Sequence, residues 1–121
     1  MATKYKKGDN DKRPWGTWEV LDTKTDYCVK KITVNPGGVL SLQLHNYRQE
    51  HWVVVEGEVL VTLGDEVCVK KPDDVVFIPC KTVHRIQNNT DKYAVVIEIQ
   101  TGENLDEDDI VRLEDKYGRV I

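Results

Sequence analysis

One stretch of sequence decides the predicted fold: GGVLSLQLHNYRQEHWVVVEG, residues 37–57. Leucines at positions 40, 42 and 44 alternate with polar residues, which is the pattern of a strand with one buried face. The valine-rich run at 51–55 predicts a second strand, and Gly57 lies in the turn that ends it. This part of the chain is therefore predicted to be β-structure.

Short runs of β-forming residues recur on both sides of this stretch, at 29–34, 59–63, 66–69, 75–78, 83–87 and 93–100. Strands at spacings of about 8–12 residues, separated by turn residues, predict an all-β sandwich or small barrel. A short helix, or alternatively a loop, is predicted at 107–117. Asp108 and Asp109 would lie near its N-terminus, and Gly118 would follow its end.

Residues 1–12 are polar and lysine-rich, and we predict that they form a flexible tail. The remainder, 13–121, is predicted to be one domain, which suits a chain of 121 residues. The net charge of −4 argues against a nucleic-acid partner. No apolar run is long enough to cross a membrane, and the N-terminus has no signal-peptide core, so we expect a cytoplasmic protein.

The leucines at 40, 42 and 44 lead to a hypothesis about assembly. If Gln43 and His45 point into the barrel, all three leucines point outward and need a cover. Trp15 and Trp18 of the N-terminal segment could provide it, or a second subunit could, and we expect a homodimer. The alternative is that the inner and outer faces are the reverse of this assignment.

Polar residues with ordered spacing surround the leucine strand. The first group is Gly37, Gln43, His45, Glu50 and Gly57, and the second group is Pro79, His84 and Asn88. The two groups resemble the two conserved motifs of the cupins, with Gln43 where the first motif has a histidine, and Asp73 and Lys81 where the second has glycines. The resemblance implies a single-domain cupin, a small antiparallel jelly-roll barrel that holds one divalent metal ion.

The residue types agree with a metal site. Gln43 and His45 are two positions apart on one strand and share a face, while Glu50 and His84 come from later strands. Two imidazoles, one amide oxygen and one carboxylate leave a dication with net positive charge, as a Lewis-acid site requires. The set does not choose among Zn, Mn, Co, Fe and Ni. The alternative is a cupin without metal, whose polar residues only hydrogen-bond inside the barrel.

A narrower resemblance covers residues 13–119. The segments that carry it are Arg13-Pro14-Trp15-Gly16, Leu40-Ser41-Leu42-Gln43, His45-x-x-Arg48-x-Glu50-His51-Trp52, Ile97-Glu98 and Tyr117-Gly118-Arg119. They resemble the type II mannose-6-phosphate isomerase family, which implies interconversion of mannose 6-phosphate and fructose 6-phosphate. In that family a guanylyltransferase domain often precedes this one. The chain leaves no room for that domain, so its activity is not expected.

The resemblance and the spacing nominate further site residues. We expect Arg48, His51 and Glu98 as catalytic residues, and Arg48, Trp52, Lys81 and Arg85 as substrate-binding residues. The alternation of side chains along a strand argues against two of them. His51 follows Glu50 and Arg85 follows His84, so each should point away from the face that carries the expected ligand. For Arg48 the alternative is a surface ion pair, for Trp52 it is core packing, and for Lys81 it is a solvated turn.

The expected function is therefore a metal-dependent isomerase acting on a sugar phosphate. Two alternatives stay open. One is a binding protein for sugars or sugar nucleotides that has kept the metal without turnover. The other is a different cupin enzyme, an epimerase or a dioxygenase, since a fold does not fix an activity.

Overall fold

A computed structural model describes residues 5–106 and 108–118. In these ranges the chain forms eleven β-strands and no helix. The strands are β1 Asn10–Arg13, β2 Gly16–Thr23, β3 Tyr27–Val34, β4 Leu42–Leu44, β5 Arg48–Glu56, β6 Val59–Leu63, β7 Glu66–Lys70, β8 Val75–Ile78, β9 His84–Gln87, β10 Ala94–Gly102 and β11 Val111–Glu114. The described residues thus include no helix long and apolar enough to cross a membrane.

Two sheets make up the fold. The six-stranded sheet has the order β1-β2-β3-β10-β5-β8, and the five-stranded sheet has the order β11-β4-β9-β6-β7. Every pairing is antiparallel, and the strand order crosses over within each sheet, as in a jelly-roll sandwich. The predicted all-β class is confirmed, and the two sheets enclose the interior as a sandwich rather than as a closed barrel.

Alternating side chains of the facing strands fill the interior. Apolar side chains form one contiguous core: Trp15, Ile32, Val34, Leu40, Trp52, Val54, Val59, Val61, Val76, Ile78, Ile86, Ala94 and Val96. The strands predicted for β3 and for β5 through β10 agree with the structure within a few residues at each end. These segments could be predicted because their alternation and their turns both agree with the fold.

The predicted helix at 107–117 is wrong. Val111–Glu114 is instead the edge strand β11, which pairs with β4, so that Arg112 lies opposite Gln43. Apolar and charged residues alternate from Val111 to Glu114, and this period of two fits a strand. The open edge of β4 supplies backbone partners, and pairing there outweighs the weak helix-end signals.

The ordered chain begins earlier than the sequence suggests. Asn10–Arg13, which overlaps the predicted tail, pairs with β2, and Gly8 and Asp9 exchange backbone hydrogen bonds with Val20. Edge strands are often short and charged, which limits unwanted pairing with other chains. Their composition therefore resembles that of a tail, and the sequence pattern misses them.

Leu40 does not point outward as predicted. It is buried in the core, and its backbone N–H donates to Ile86 O at 3.0 Å. Ser41 is buried as well, so the alternation breaks here and the regular strand begins only at Leu42. Leu42 and Leu44 are half-buried. Leu40 therefore does not belong to an outward apolar face, and only Leu42 and Leu44 are left to support a dimer, which stays a prediction.

Two turns explain departures from the cupin motif pattern. Asp73 and Lys81, which stand where the second motif has glycines, have φ angles of 78° and 61°. They are the non-glycine residues with positive φ in the described part of the chain. An L-residue is strained in this left-handed region, whereas glycine is not. The backbone thus keeps the shape that the motif glycines would favour.

We therefore expect Lys81→Gly to stabilise the protein. The side chain is exposed, and the backbone bond from Lys81 N to His45 O is retained in the variant. Glycine relieves the strain of the left-handed backbone, which stabilises the folded state, but it also gives the unfolded chain more freedom. The net effect should raise the free energy of unfolding by about 0.5–1 kcal/mol. Thermal denaturation should show a Tm increase of about 2–5 °C.

The matched control for this variant is Lys24→Gly. Lys24 is also an exposed turn lysine, but its φ is not in the left-handed region. Glycine there should leave the Tm unchanged or lower it. An equal rise of the Tm in both variants would contradict the explanation by strain.

Candidate metal centre and active site

Three potential ligand side chains converge between the two sheets. The ligand atoms of His45, Glu50 and His84 lie within 4.8 Å of one another, and all three residues are buried. His45 directly follows β4, Glu50 lies on β5, and His84 begins β9. Glu50 Oε2 is 3.2 Å from His45 Nε2, and Glu50 Oε1 is 4.0 Å from His84 Nε2.

Backbone carbonyls orient both imidazoles. His45 Nδ1 lies 2.6 Å from Asp109 O, and His84 Nδ1 lies 2.9 Å from Thr82 O. A carbonyl only accepts, so each Nδ1 carries a proton, and Nε2 is the atom of each ring that faces the other candidate ligands. Burial lowers the pKa of His84, which favours this neutral form. Fixing a histidine through its other nitrogen is a common feature of metal sites.

Gln43, the fourth predicted ligand, lies beside His84. The two residues are directly opposite in the β4–β9 pair, and Gln43 lines the same cavity. Gln43 Nε2 donates to Ser41 Oγ at 2.8 Å. Its amide nitrogen is thereby engaged, which leaves Oε1 as the atom that could bind a metal.

Glu50 is buried as a carboxylate with local compensation. Arg48 Nε donates to Oε2 at 3.0 Å, and Trp52 Nε1 donates to Oε1 at 2.9 Å. Burial alone would raise the pKa of Glu50, but the Arg48 guanidinium, the contact with His45 and the hydrogen bond with Glu98 together outweigh it and hold that pKa well below its usual range. The charged form is the one that a metal ion requires.

These donors fit a divalent ion. His45 Nε2 and Glu50 Oε2 lie 3.2 Å apart, a separation that needs a proton or a cation between or beside them. Arg48 Nη2, 3.3 Å from His45 Nε2, already places a positive group there. An imidazole nitrogen has one lone pair, so a metal bound at His45 would replace this contact with Arg48.

Glu98 is the second carboxylate of the interior. It lies on β10, opposite Trp52 on one side and Lys30 on the other. Trp52 Nε1 donates to Oε1 at 3.2 Å, and Gln100 Nε2 donates to Oε2 at 2.9 Å. Burial, followed by the negative charge of Glu50, raises the pKa of Glu98 to about 8. Two carboxylates with pKa values moved in opposite directions suit acid–base chemistry.

A cavity of about 110 Å³ joins these groups. Besides the residues above, its walls include the cations Arg13, Lys30, Arg85 and Arg112 and the aromatic residues Tyr5, Trp15 and Trp18. Positive side chains around a buried metal-ligand set suit an anionic ligand.

The structure brings some of the predicted site residues together and separates others. Arg48, Trp52 and Glu98 lie with the ligand set. His51 faces away on the outer side of β5, where its ring packs on Phe77 at 4.8 Å between centroids. Lys81 is exposed and does not line the cavity. Strand parity rather than family resemblance decided the side on which His51 lies.

Arg85 lies at the border of the cavity with its donors in use. Its Nε donates to Leu40 O at 3.0 Å, and its Nη1 donates to Glu114 Oε1 at 3.1 Å. It therefore connects β9 with β11, and a substrate-binding role would require it to give up these contacts.

Sequence reasoning missed two residues, Asp109 and Lys30. The sequence places Asp109 near the N-terminus of the expected helix, but in the structure it is buried and its carbonyl orients His45. Its carboxylate accepts from Asn46 N at 2.8 Å and from Tyr47 N at 3.0 Å. No pattern in one sequence distinguishes this aspartate from its neighbours. For Lys30 a signal existed, since it shares strand parity with the buried Ile32.

We predict that Asp109→Ala weakens metal binding. Loss of the carboxylate leaves the amides of Asn46 and Tyr47 without their acceptor, and the loop that carries the Asp109 carbonyl should shift away from His45. Zinc affinity, measured by calorimetry, should fall about 10- to 100-fold, as for other residues that orient metal ligands. Asp108→Ala, an exposed neighbour, should bind as the wild type does. Unchanged zinc affinity in Asp109→Ala would refute the positioning role.

Comparisons with known proteins agree with this fold. The family model described as "Mannose-6-phosphate isomerase C-terminal" matches residues 2–115. The xanthan biosynthesis protein XanB of Xanthomonas campestris is 48% identical over 107 residues, which are 88% of this chain and 23% of that protein. The mannose-1-phosphate guanylyltransferase ManC of Salmonella typhimurium is 44% identical over 108 residues, 89% of this chain and 22% of that protein.

A solved cupin-2 domain from Rhodospirillum rubrum superposes with a TM-score of 0.70 at 19% identity, covering 84% of this chain and 75% of that one. This likeness shows the cupin fold. The chain spans less than a quarter of the length of the two curated relatives. The match to the family model covers nearly the whole sequence, and the chain belongs to the mannose-6-phosphate isomerase C-terminal family.

Proposed function

We propose that this chain is a metal-dependent isomerase that interconverts mannose 6-phosphate and fructose 6-phosphate. The observation that carries the proposal is the convergence of His45, Glu50 and His84, each oriented by its own hydrogen bonds, in a cavity that also holds Glu98. The family description supports the choice of substrate. The name of the xanthan relative supports a role in polysaccharide biosynthesis.

The reaction requires a proton to leave the carbon next to a carbonyl and return to the neighbouring carbon. His45, Glu50, His84 and the amide oxygen of Gln43 would hold the ion, which when bound polarises the carbonyl and hydroxyl oxygens of the substrate. Without that polarisation the carbon acid is too weak to lose a proton to a side chain at a useful rate. The buried walls exclude bulk water and strengthen each electrostatic contact.

Glu98 is the residue proposed to move the proton. The described residues that line the cavity include two carboxylates, Glu50 and Glu98. Glu50 belongs to the candidate ligand set, which leaves Glu98 for proton transfer. Trp52 and Gln100 hold both of its oxygens in place, so the group is oriented before a substrate enters. Arg48 and Trp52 are assigned to contact with the sugar phosphate, because both border the ligand set.

We predict that chelation abolishes isomerisation and that a divalent metal restores it. Protein stripped of metal and reloaded separately with Zn, Mn, Co, Fe or Ni would be supplied with mannose 6-phosphate, and fructose 6-phosphate would be followed in a coupled assay. His84→Ala should lose both bound metal and turnover, since it removes one of the three protein ligands. The control His51→Ala should keep both, because His51 lies outside the cavity. Turnover that survives complete chelation would refute metal dependence.

We also predict that Glu98→Gln lowers kcat and leaves metal loading unchanged. The glutamine oxygen can still accept from Trp52, and Gln100 can reverse its amide, since its Oε1 has no hydrogen-bond partner among the described residues. Loss of a general acid–base group should reduce kcat by about 100-fold or more. Glu19→Gln, on the exposed face of the same sheet, is the matched control. A kcat within twofold of wild type would exclude Glu98 as the proton carrier.

A second candidate is a sugar-phosphate binding protein without turnover. The contact of Arg48 with His45 Nε2 and Glu50 Oε2 favours it, because a side-chain cation then occupies two of the three ligand atoms. This candidate predicts that mannose 6-phosphate raises the Tm without any product. The coupled assay and a thermal-shift titration on the same sample separate the two functions.

A further inference from the structure

Lys30 is a buried lysine to which the chemistry above gives no role. It lies on β3 with its side chain inside the sandwich, and only 6% of it is exposed. It lines the same cavity as His45, Glu50 and His84. Its neighbour Lys31 lies on the opposite, exposed face of the strand.

Aromatic rings surround the ammonium group of Lys30. Its Nζ lies 3.7 Å from the centroid of the Tyr5 ring and 4.6 Å from that of the Trp18 ring. Within the described ranges it has no hydrogen-bond acceptor and no carboxylate at ion-pair distance. Cation–π contacts offset part of the cost of burying the charge, but they satisfy none of the three N–H donors as an oxygen would. The group is therefore built to receive an acceptor from the cavity.

The other cations around the cavity help to define that acceptor. Arg48 donates to Glu50, and Arg85 donates to Glu114 and Leu40, so these two guanidinium groups already have protein partners. Lys30 is the described cavity cation whose ammonium has only ring faces as partners. A phosphate monoester offers several oxygens and a double negative charge to such a group, whereas a neutral hydroxyl would leave the charge uncompensated.

The position of Lys30 also suits one end of a sugar phosphate. Its strand β3 is separated from β5, which carries Glu50, by β10 alone. Two strand spacings separate the backbones of β3 and β5 by about 10 Å, and the side chains of Lys30 and Glu50 line the same cavity. A substrate with its carbonyl end at the ligand set could thus reach Lys30 with its other end.

We propose that Lys30 binds the phosphate group of the substrate, with Tyr5 and Trp18 shielding the contact from water. This inference rests on the proposed function for the identity of the sugar, but not for the anion site itself. Burial lowers the pKa of Lys30, as expected for an ammonium group without an acceptor, and a phosphate dianion would provide the missing opposite charge.

The first test measures the anion site without any turnover. Inorganic phosphate would be titrated into chelated protein by calorimetry, so that no metal can bind the phosphate. Lys30→Met keeps the length and the apolar stem but removes the charge, and it should weaken phosphate binding about 10- to 100-fold. Lys30→Arg should retain most of the binding, and the control Lys31→Met should match the wild type. Wild-type protein that binds no phosphate, or equal binding by Lys30→Met, would overturn the proposal.

The second test uses the preference for a phosphorylated ligand. Metal-loaded protein would be compared on mannose 6-phosphate and mannose, by kcat/KM where there is turnover and by Kd where there is none. The preference is the factor by which mannose 6-phosphate is favoured over mannose. Lys30→Met should reduce this preference about 10- to 100-fold, mainly by raising the KM or Kd for mannose 6-phosphate. General damage to the fold would weaken both ligands and leave the preference unchanged, which would count against the proposal.

The two tests separate this inference from the proposed function. Phosphate binding that depends on Lys30, in a protein without isomerase activity, would support the anion site and refute the isomerase. Isomerase activity with an unchanged preference in Lys30→Met would support the isomerase and refute the anion site.

Discussion

The burial of the Glu50 carboxylate is the constraint on which the rest of the candidate site depends. The residue is 1% exposed, and an uncompensated charge at that depth would cost several kcal/mol. Part of the compensation comes from its own strand, because Arg48 and Trp52 lie two positions away on either side and share its face. The histidines of the other sheet then approach an acceptor that is already charged and fixed. One strand thus carries both the carboxylate of the candidate metal site and groups that make its burial possible.

The second constraint comes from the far end of the chain. His45 takes its orientation from Asp109, which is 64 positions away in sequence, and the strand after Asp109 completes the edge of the five-stranded sheet. The segment around Asp109 is therefore part of the candidate metal site, although it supplies none of the three candidate ligands. Correct pairing of β11 with β4 and correct orientation of His45 are two consequences of the same docking.

The parts of the fold and site that could be predicted are those with local signals. Alternation and turn residues located the strands from β3 and from β5 to β10, and motif spacing selected the three convergent ligands together with Gln43. The alternation of side chains along β5 correctly predicted that His51 points away from the cavity. The errors arose where tertiary partners decide. The edge of β4 makes a strand of Val111–Glu114, a bridge to Ile86 turns Leu40 inward, and pairing with β2 orders Asn10–Arg13. None of these partners is visible in a local window.

The arrangement of polar and apolar residues along the strands explains how one small interior can provide both a core and a site. In β3 the inward side chains change from Cys28 and Lys30 to Ile32 and Val34, and in β5 they change from Glu50 through Trp52 to Val54. In β10 the order is reversed, from Val96 to Glu98, as antiparallel pairing requires if like ends are to meet. The polar ends therefore gather at one end of the sandwich and the apolar ends at the other. Stability resides mainly in the apolar end, so the polar end can keep a buried lysine, two carboxylates and two imidazoles, whose burial costs folding free energy. A purely structural interior would have no reason to keep that cost, and the Lys30 ammonium, which contacts only aromatic rings, is therefore the strongest physical argument for the proposed anion site at this end.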